Sequence, residues 1–361
     1  MNEAMQKELG VVRDQIDSID AQLLELLNRR ARCAEHVGEI KSRYGEAGHV
    51  YRPEREAQVL RRIQSLNQGP LPNESVTFFF REVMSACLSL ENPLGIAFLG
   101  PLGTFSESAA VKHFGHAARL APQAAIDDVF REVEAGHAQY GVVPVENSTE
   151  GAIFHSLDML AGSDLKVIAQ VYLEIEHCLL SHSPLAEIRT VISKDIALAQ
   201  CRQWLNRNLP GVEWSHASST TAAVKEAAST PGVAAVAGKV ASALYGIPVV
   251  AEGIQDLKDN VTRFLVIGRQ CSAPLGGGRD KTSLLVSLND RPGALMHLLE
   301  PFARRGINLC KIESRPSRRK AWDYYFFIDS IGHRDEPAVR EVLAELEASC
   351  PYVKWLGSYP A

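Results

Sequence analysis

Hydrophobic and polar positions divide the chain into three regions with different periods. Up to about residue 90, apolar residues recur every three or four positions, the spacing of helices that bury one face. From Pro93 to residue 271, short apolar runs alternate with helical stretches, which predicts an α/β fold with a largely parallel sheet. After residue 280 the predicted order is βαββαβ, the ferredoxin-like α+β plan. We therefore expect domains over 1–92, 94–271 and 281–361, with a flexible Gly-rich linker at 272–280.

The first region predicts an all-α domain of three helices. The apolar seam of the long first helix consists of Leu9, Val12, Ile16, Ile19, Leu23, Leu26, Cys33, Val37, Ile40 and Tyr44. Residues 45–49 end this helix, Pro53 begins a second helix that stops at Gly69-Pro70, and Asn73 is expected to cap a third. Three helices with one very long member cannot close a compact core alone, so we expect a second copy of the chain.

The middle region has the length of two lobes with a cleft. Its strand-like runs are GIAFLG (95–100), YGVVPV (140–145), VIAQVYLEI (167–175), TVISK (190–194), GVAAVAG (232–238) and TRFLVIG (262–268). About 175 residues suit two α/β lobes better than one compact sheet.

Composition and charge exclude several classes of function. A formal charge of −5 argues against general nucleic-acid binding, and no apolar run is long enough to cross a membrane. The N-terminal residues lack the apolar core of a signal peptide. The seven cysteines are odd in number and contain no CxxC pair, so we expect reduced thiols, no metal site and a cytoplasmic protein.

Cations interrupt the apolar seam of the first helix. Arg30 occupies a seam position, and a guanidinium there is costly unless it meets an anion. Lys41 lies about three turns further on, roughly 16 Å along the same face, so the two side chains can hold a small dianion between them. Arg13 is roughly 25 Å from Arg30 on another face and can reach this pocket only from an antiparallel partner helix. The alternative is that Arg30 snorkels or pairs with a Glu. In that case Arg13, Lys41 and Arg55 are ordinary solvent-exposed charges.

The order Arg13, Arg30, Lys41, Arg55-Glu56 and Glu91 resembles the all-helical chorismate mutases over residues 5–92. The resemblance implies a helix-swapped dimer whose pocket rearranges chorismate to prephenate. Its expected lining is Arg30, Lys41, Arg52, Arg55, Glu56, Cys87 and Glu91, with Arg13 of the partner copy. Lys41 and Glu91 are the expected catalytic residues, because the pericyclic reaction needs a held conformer and stabilisation of charge on the breaking ether oxygen.

Two residues depart from the mutase pattern. Position 52 is Arg where many relatives have an acid, and position 91 is Glu where others have Gln. An ionised Glu91 cannot donate a hydrogen bond to the ether oxygen. We therefore predict that mutase activity falls as pH rises and that Glu91→Gln flattens this profile.

Three turns in the middle region place hydroxyls or amides at predicted helix starts, where backbone amides bind carboxylates. The residues concerned are Thr104, Phe105 and Ser106, then Asn147 and Ser148, then Ser219 and Thr220. Helix capping alone also explains these residues, since Thr104 with Glu107 and Asn147 with Glu150 have capping-box spacing. Thr262-Arg263-Phe264 opens a buried strand, and the alternative there is a strand start with Arg263 in a salt bridge.

The stretches GPLGTFSE, PVENSTEG, Tyr245-Gly-Ile-Pro and Thr262-Arg263-Phe264 resemble the prephenate dehydratases over residues 95–270. The resemblance implies two lobes like those of periplasmic binding proteins, and the conversion of prephenate to phenylpyruvate, water and carbon dioxide. Thr262 would hydrogen-bond the leaving hydroxyl, while Arg263 and Phe264 would complete the site. The hydroxyls and amides of the three turns would bind carboxylates. No metal or organic cofactor is needed.

The last region carries Gly293-Ala294-Leu295 at a strand-to-helix turn and Glu313-Ser314-Arg315-Pro316 at a strand end. Turn and edge-strand chemistry explains them individually, but together they resemble the regulatory ACT domain of phenylalanine-inhibited dehydratases. The resemblance implies that phenylalanine binds near Gly293–Leu295, Asn308 and residues 313–316, and inhibits the enzyme. It also implies a homodimer, or dimers paired into a tetramer.

Two other interpretations stay open from the residues. A mutase fused to a prephenate dehydrogenase would need a nicotinamide site, and GPLGTF only partly imitates GxGxxG. A non-catalytic amino-acid sensor would combine a binding cleft with a sensing domain, but it leaves Arg30, Lys41 and the Thr262-Arg263 pair unexplained.

Overall fold

A computed structural model describes residues 3–45, 51–316 and 324–361. The chain divides into two compact units. The first contains the described residues up to Arg52, with Val59–Leu94 and Phe114–Ala118, and the second contains Pro53–Gln58, Gly95–His113 and the described residues from Arg119 onward. Residues 46–49 of the predicted helix break, and residues 322 and 323 at the start of a predicted strand, lie outside the described residues.

The three predicted helices are confirmed as α1 (Glu3–Arg43), α2 (Pro53–Leu66) and α3 (Asn73–Glu91). Pro53 occupies the first turn of α2, where its missing N–H costs nothing. The prediction that Asn73 caps α3 is wrong, because Pro72 precedes the helix and Asn73 is its first residue. The side-chain oxygen of Asn73 instead accepts a hydrogen bond from Asn67 Nδ2 at 2.7 Å.

The apolar seam of α1 remains exposed within one chain. No residue of α1 is buried, and Ile16, Ile19 and Leu26 are 50%, 55% and 59% exposed. An exposed apolar stripe of this length is unfavourable in water and is typical of a surface that another helix covers.

The first lobe of the second unit contains a six-stranded sheet in the order β2-β1-β3-β11-β5, with β4 paired to β3. These strands are β1 (Gly95–Leu99), β2 (Arg119–Gln123), β3 (Tyr140–Asn147), β4 (Gly151–Ala152), β5 (Lys166–Glu174) and β11 (Val261–Gly268). Its helices are α4 (Phe105–Phe114), α5 (Ile126–Ala135) and α6 (Phe154–Gly162). Strand β11 lies between β3 and β5 and is antiparallel to both.

The second lobe has a five-stranded sheet in the order β10-β6-β9-β7-β8. The strands are β6 (Cys178–Leu180), β7 (Thr190–Ser193), β8 (Glu213–His216), β9 (Val233–Ala237) and β10 (Val249–Ala251). The helices are α7 (Asp195–Gln200), α8 (Arg202–Asn208), α9 (Thr220–Ser229) and α10 (Lys239–Tyr245). Only β7 pairs in parallel here, with β8 and β9. The prediction of a largely parallel sheet is therefore wrong, since both lobes are mixed.

The last region confirms the βαββαβ order. Its elements are β12 (Asp280–Ser287), α11 (Ala294–Arg304), β13 (Leu309–Pro316), β14 (Tyr324–Ile331), α12 (Pro337–Ser349) and β15 (Tyr352–Pro360). The antiparallel sheet has the order β13-β14-β12-β15. The predicted linker is held at its end, because buried Asp280 accepts hydrogen bonds from the amides of Leu275 at 2.8 Å and Gly276 at 2.9 Å.

One face of this third sheet packs against the first lobe. Leu285, Phe327 and Leu356 belong to the same buried hydrophobic cluster as Val145 and Val167 of the first lobe. Strand β15 approaches β5 so closely that a Cβ at Gly357 would lie 2.1 Å from the carbonyl oxygen of Val167. The other face of the sheet is covered by α11 and α12. The two domains therefore share one hydrophobic core.

Candidate functional sites

Thr262 and Asn147 form a hydrogen-bonded pair at the ends of two neighbouring strands. Thr262 on β11 is the cross-strand partner of Asn147 on β3, and Asn147 Nδ2 donates to Thr262 Oγ1 at 2.8 Å. The backbone amides of Thr149 and Glu150 donate to Asn147 Oδ1 and fix the orientation of its amide. Among the described residues, the hydroxyl proton of Thr262 has no acceptor, so it can be donated to a bound molecule.

The pair continues into a chain of amides that crosses to the second lobe. Asn147 Nδ2 also donates to Asn260 Oδ1 at 2.8 Å, and Asn260 Nδ2 donates to Gln200 Oε1 at 3.0 Å. Gln200 lies in α7, and His177 Nε2 is 2.9 Å from the same Gln200 oxygen. Sequence reasoning missed Asn260, Gln200 and His177, which are polar residues with no distinctive local pattern.

His177 is a neutral imidazole held inside the protein. It is 2% exposed, and burial lowers its pKa, an effect partly opposed by the hydrogen bond with Gln200. Because Gln200 Oε1 is an acceptor, we assign the proton of His177 to Nε2. The edge of the ring meets Phe105, with centroids 5.5 Å apart, so a residue of the first predicted turn supports the network from the other lobe.

A cleft of about 290 Å³ adjoins this network, a size that suits a small ligand. Its lining residues are Thr149, Glu150, Ala199, Gln200, Gln203, Gln255, Asp256, Leu257 and Asn260. Seven of its nine lining residues are polar, so hydrogen-bonding groups are available to a ligand, but carbon atoms form most of the exposed lining.

The predicted turn residues have several different environments. Thr104 Oγ1 donates to the carbonyl oxygen of Pro101 at 2.9 Å, and Ser106 is buried in the first turn of α4. Ser219 caps α9 by accepting from the amide of Ala222 at 3.0 Å, with Thr220 as the first helical residue. Helix starts are therefore present at two of the three turns.

The third turn is not a helix start, so that prediction is wrong. After Asn147 the chain makes a turn and enters the short strand β4. Ser148 Oγ donates to the carbonyl oxygen of Asp259 at 3.1 Å and accepts from the amide of Val261 at 3.0 Å. These bonds join the turn to the segment before β11 and hold Thr262 in register with Asn147.

Arg263 points to the face of the sheet opposite Thr262, toward the ACT-like domain. Its Nη1 donates to Asp329 Oδ2 at 2.5 Å and its Nη2 donates to Tyr359 OH at 2.9 Å. Ser283 Oγ donates to Asp329 Oδ1 at 2.5 Å and lies 2.8 Å from Tyr359 OH. Phe264, the next residue, is 2% exposed within the sheet.

Burial has opposite effects on the protonation of Arg263 and Tyr359. Burial by itself lowers the pKa of Arg263, but Tyr359 and Asp329 outweigh it and raise the pKa above its usual value. Burial raises the pKa of Tyr359 well above its usual range. Arg263 is therefore a cation and Tyr359 a neutral phenol at every physiological pH.

In the helical unit, Lys41 on α1 pairs with Glu91 on α3. Lys41 Nζ lies 3.4 Å from Glu91 Oε2. Gly38 lets the two helices approach, since a Cβ there would lie 3.2 Å from Glu91 Cγ. Arg30 on α1 is partly buried and Cys87 on α3 is buried. The unit thus brings Lys41 and Glu91 together within one chain.

The remaining predicted mutase residues lie on exposed or partly exposed positions. Arg13 is exposed on α1, Arg52 is exposed just before α2, and Arg55 and Glu56 lie in the first turn of α2. The position of Arg13, roughly 25 Å along α1 from Arg30, is the one expected of a residue that serves another copy.

A cavity of about 280 Å³ in the ACT-like domain contains the predicted Gly293, Ala294 and Leu295. The other lining residues are Leu288, Asn289, Asp290, Arg291, Met296, Tyr324 and Phe326. Gly293 adopts φ 81°, a left-handed conformation that favours glycine, at the start of α11.

Arg315 lies outside the cavity beside Gly293. It makes a two-pronged ion pair with Asp158 of α6, and its guanidinium stacks 4.7 Å from the centroid of Phe154. Strand β13 alternates in exposure, which places Glu313 on the same face as Arg315 and puts Ser314 and Pro316 on the other. Asn308 accepts from the amide of Ile331 through its carbonyl oxygen. Within the part of the chain that the structure describes, these residues do not line the cavity beside Gly293.

Neither a metal site nor a membrane span is found where the structure describes the chain. Groups of three or more His, Cys, Asp or Glu side chains suited to a metal ion are absent from the described ranges. Likewise, no helix in those ranges combines the length and apolar character that a bilayer crossing requires.

Family models match three successive segments: chorismate mutase type II over residues 12–92, prephenate dehydratase over 96–272, and the ACT domain over 282–348. The bifunctional chorismate mutase/prephenate dehydratase of Pseudomonas aeruginosa is 49% identical and covers 99% of both chains. This chain belongs to the bifunctional chorismate mutase/prephenate dehydratase family. The corresponding protein of Neisseria gonorrhoeae is 48% identical, over 100% of this chain and 99% of its own.

A solved structure supports the second unit of this bifunctional enzyme. The prephenate dehydratase of Arthrobacter aurescens in complex with L-Phe is 36% identical, with a TM-score of 0.69, and covers 74% of this chain and 90% of its own. The predicted mutase, dehydratase and ACT order is confirmed. The dehydrogenase and sensor interpretations are excluded, because the middle segment matches dehydratases and the full-length relatives are bifunctional enzymes.

Proposed function

We propose that this chain rearranges chorismate to prephenate in its helical unit and converts prephenate to phenylpyruvate in the cleft beside Thr262, under inhibition by phenylalanine. The observation that carries the second assignment is the Thr262–Asn147 pair, in which the threonine hydroxyl accepts from Asn147 and keeps its own proton for a ligand. The cleft next to it, whose lining includes Gln200, Asp256 and Asn260, has a size that suits a small ligand such as a dicarboxylate.

The dehydratase step needs little acid strength. Loss of the ring carboxylate as carbon dioxide leaves an electron pair that forms a ring double bond, while the ring C–O bond breaks and the hydroxide leaves as water after taking one proton. Aromatisation drives the reaction, so a hydrogen bond from Thr262 to the leaving oxygen is sufficient. Asn147, Asn260 and Gln200 hold that hydroxyl in place, and Thr104, Ser106, Ser148, Ser219 and Thr220 remain candidates for carboxylate binding.

In the helical unit, Lys41 and Arg30 would bind the two carboxylates and stabilise the ether oxygen. Arg55 and Glu56 remain candidates for substrate binding. The exposed seam of α1 supports a homodimer in which Arg13 comes from the second copy. Two such dimers can also associate as a tetramer through their ACT domains.

Phenylalanine would occupy the cavity beside Gly293. Its mixed polar and apolar lining suits an amino acid with an aromatic side chain. The seven free cysteines, four of them partly or fully exposed, support a reducing cytoplasmic location.

One assay tests these assignments together. Purified full-length protein is incubated with chorismate, without a nicotinamide, and phenylpyruvate is followed with and without phenylalanine. We expect phenylpyruvate to form and phenylalanine to suppress it. Accumulation of prephenate alone would contradict the role of Thr262, and untouched chorismate would contradict the role of Lys41.

A further inference from the structure

The strand pair that carries Thr262 and Asn147 has a second face. The next cross-strand pair along the same two strands is Arg263 with Glu146. Successive side chains of a strand point to opposite faces, so this second pair faces the ACT domain while the first faces Asn260, which lines the cleft. Glu146 is held there by Lys311 of β13, whose Nζ lies 2.7 Å from Glu146 Oε2.

Arg263 belongs to a closed ring of four hydrogen-bonded side chains. Arg263 donates to Tyr359, and Arg263 and Ser283 both donate to Asp329. Because Ser283 gives its proton to Asp329, Tyr359 must be the donor in its bond with Ser283. Every hydroxyl proton of the ring thus has an acceptor, and the charges of Arg263 and Asp329 balance. Such a buried network holds its members in one geometry.

The strands that supply the ring also reach the cavity beside Gly293. Asp329 lies on β14, the strand whose earlier residues Tyr324 and Phe326 line the cavity. Ser283 lies on β12, and the cavity residue Leu288 follows five positions later, about 17 Å along an extended chain. A displacement of these strands by a ligand in the cavity therefore acts directly on the ring.

We propose that Arg263 is a positioning residue of the dehydratase reaction, and that its ring with Asp329, Ser283 and Tyr359 transmits occupancy of the ACT cavity to the hydroxyl of Thr262. This inference rests on the proposed function of the Thr262 cleft. The guanidinium is directed away from that cleft and acts through its neighbour in the chain. Small displacements suffice, since reacting groups must be held within fractions of an ångström and packed interfaces switch between discrete arrangements.

The test uses the full-length Asp329→Asn variant, which keeps the shape of the ring and removes its negative charge. We expect the dehydratase kcat to fall about tenfold with little change in the KM for prephenate, because binding is retained while the hydroxyl is misplaced. We also expect the phenylalanine concentration for half-inhibition to rise at least about fivefold, while its calorimetric dissociation constant stays within about twofold of wild type. Tyr359→Phe keeps the ion pair between Arg263 and Asp329. It should lower the kcat and raise the phenylalanine concentration for half-inhibition, each by about two- to threefold.

Asp158→Asn provides the matched control. It breaks the ion pair between Arg315 and α6, a second partly buried contact between the same two domains that shares no residue with the ring. We expect its kcat without phenylalanine to equal that of wild type. An equal loss of kcat in this variant would show that general docking of the domains matters, and would overturn the specific role of the ring.

The other outcomes are equally decisive. Wild-type kcat and wild-type inhibition in both Asp329→Asn and Tyr359→Phe would overturn the inference while leaving the proposed function intact. If Asp329→Asn fails to fold, the kcat and half-inhibition values of Tyr359→Phe test the inference instead. A wild-type chain that makes no phenylpyruvate from prephenate would remove the proposed function, and this inference with it.

Discussion

Lys41 and Glu91 meet in the helical unit at 3.4 Å, whereas Arg13 lies exposed on the same helix and out of their reach. In the second unit, Thr262, Asn147, Asn260 and Gln200 form an unbroken chain of hydrogen bonds within one polypeptide. The difference agrees with the exposed seam of α1, since no residue of this helix is buried within one chain and the proposed homodimer would cover the seam. We therefore propose that the mutase site is assembled between two copies and the dehydratase site within one.

The largest expected effect concerns the mutase. Lys41→Met removes the cation expected at the ether oxygen, and losing one such electrostatic group costs about 100- to 1,000-fold in rate. Chorismate consumption measured with purified protein checks the value, and the dehydratase rate with added prephenate should stay unchanged. Lys7→Met, which changes an exposed lysine on the same helix, is the control.

Next in size is the effect of Thr262→Val, which keeps the side-chain shape and removes the hydroxyl. We expect the dehydratase kcat to fall about 100-fold, the range of a general-acid contribution, with mutase activity intact. Thr262→Ser restores a hydroxyl and should recover most of the loss. A Thr262→Val enzyme with wild-type kcat would refute the proposed donor.

A smaller, pH-dependent effect is expected at Glu91. The carboxylate pairs with Lys41 and, when ionised, cannot donate a hydrogen bond to the substrate. Glu91→Gln supplies a donor at every pH, so its mutase rate should exceed that of wild type by a few-fold at alkaline pH and should vary less with pH. Parallel profiles for the two proteins would count against this role.

The smallest effect concerns the stability of the dehydratase lobes. The pKa of buried His177 is lowered, so the folded state takes up its proton only at lower pH than the unfolded state does. Stability should therefore fall as pH drops below about 6.5, by about 1 kcal/mol near pH 5.5.

This pH dependence can be isolated with matched variants. Thermal unfolding between pH 7.5 and 5.5 should show a weaker decline in His177→Gln than in wild type. His182→Gln, an exposed histidine in the same lobe, should keep the wild-type slope. Equal slopes in all three proteins would contradict the assignment.

Periodicity predicted much of the fold. The seam from Leu9 to Leu26 gave α1, and the order of apolar runs after residue 280 gave the ACT topology. Strand direction was not predictable from the sequence. The apolar pattern of β11 indicates that the strand is buried, but it does not indicate that β11 lies between β3 and β5 and runs antiparallel to both.

The functional sites were likewise predictable only in part. Thr262 and Gly293 were found because they belong to short distinctive motifs, whereas Gln200, Asn260 and His177 are common polar residues that gain significance only when distant segments meet. Arg263 illustrates the limit most clearly. Its motif indicated importance, but only the alternation of faces and the positions of Asp329 and Tyr359 revealed which domain it contacts.

Mixing two doubly substituted chains tests the central comparison most directly. One chain carries Arg13→Ala with Thr262→Val, the other carries Lys41→Met with Asn147→Ala, and each is first shown to be inactive alone. After the two chains are unfolded and refolded together, random pairing makes about half of the dimers hybrids. Each hybrid has one intact mutase site and one site that carries both mutase substitutions. Mutase activity should therefore recover to about a quarter of wild type. Dehydratase activity should not recover, because Thr262 and Asn147 serve the same site from one chain. No mutase recovery, or any recovery of the dehydratase, would contradict the account.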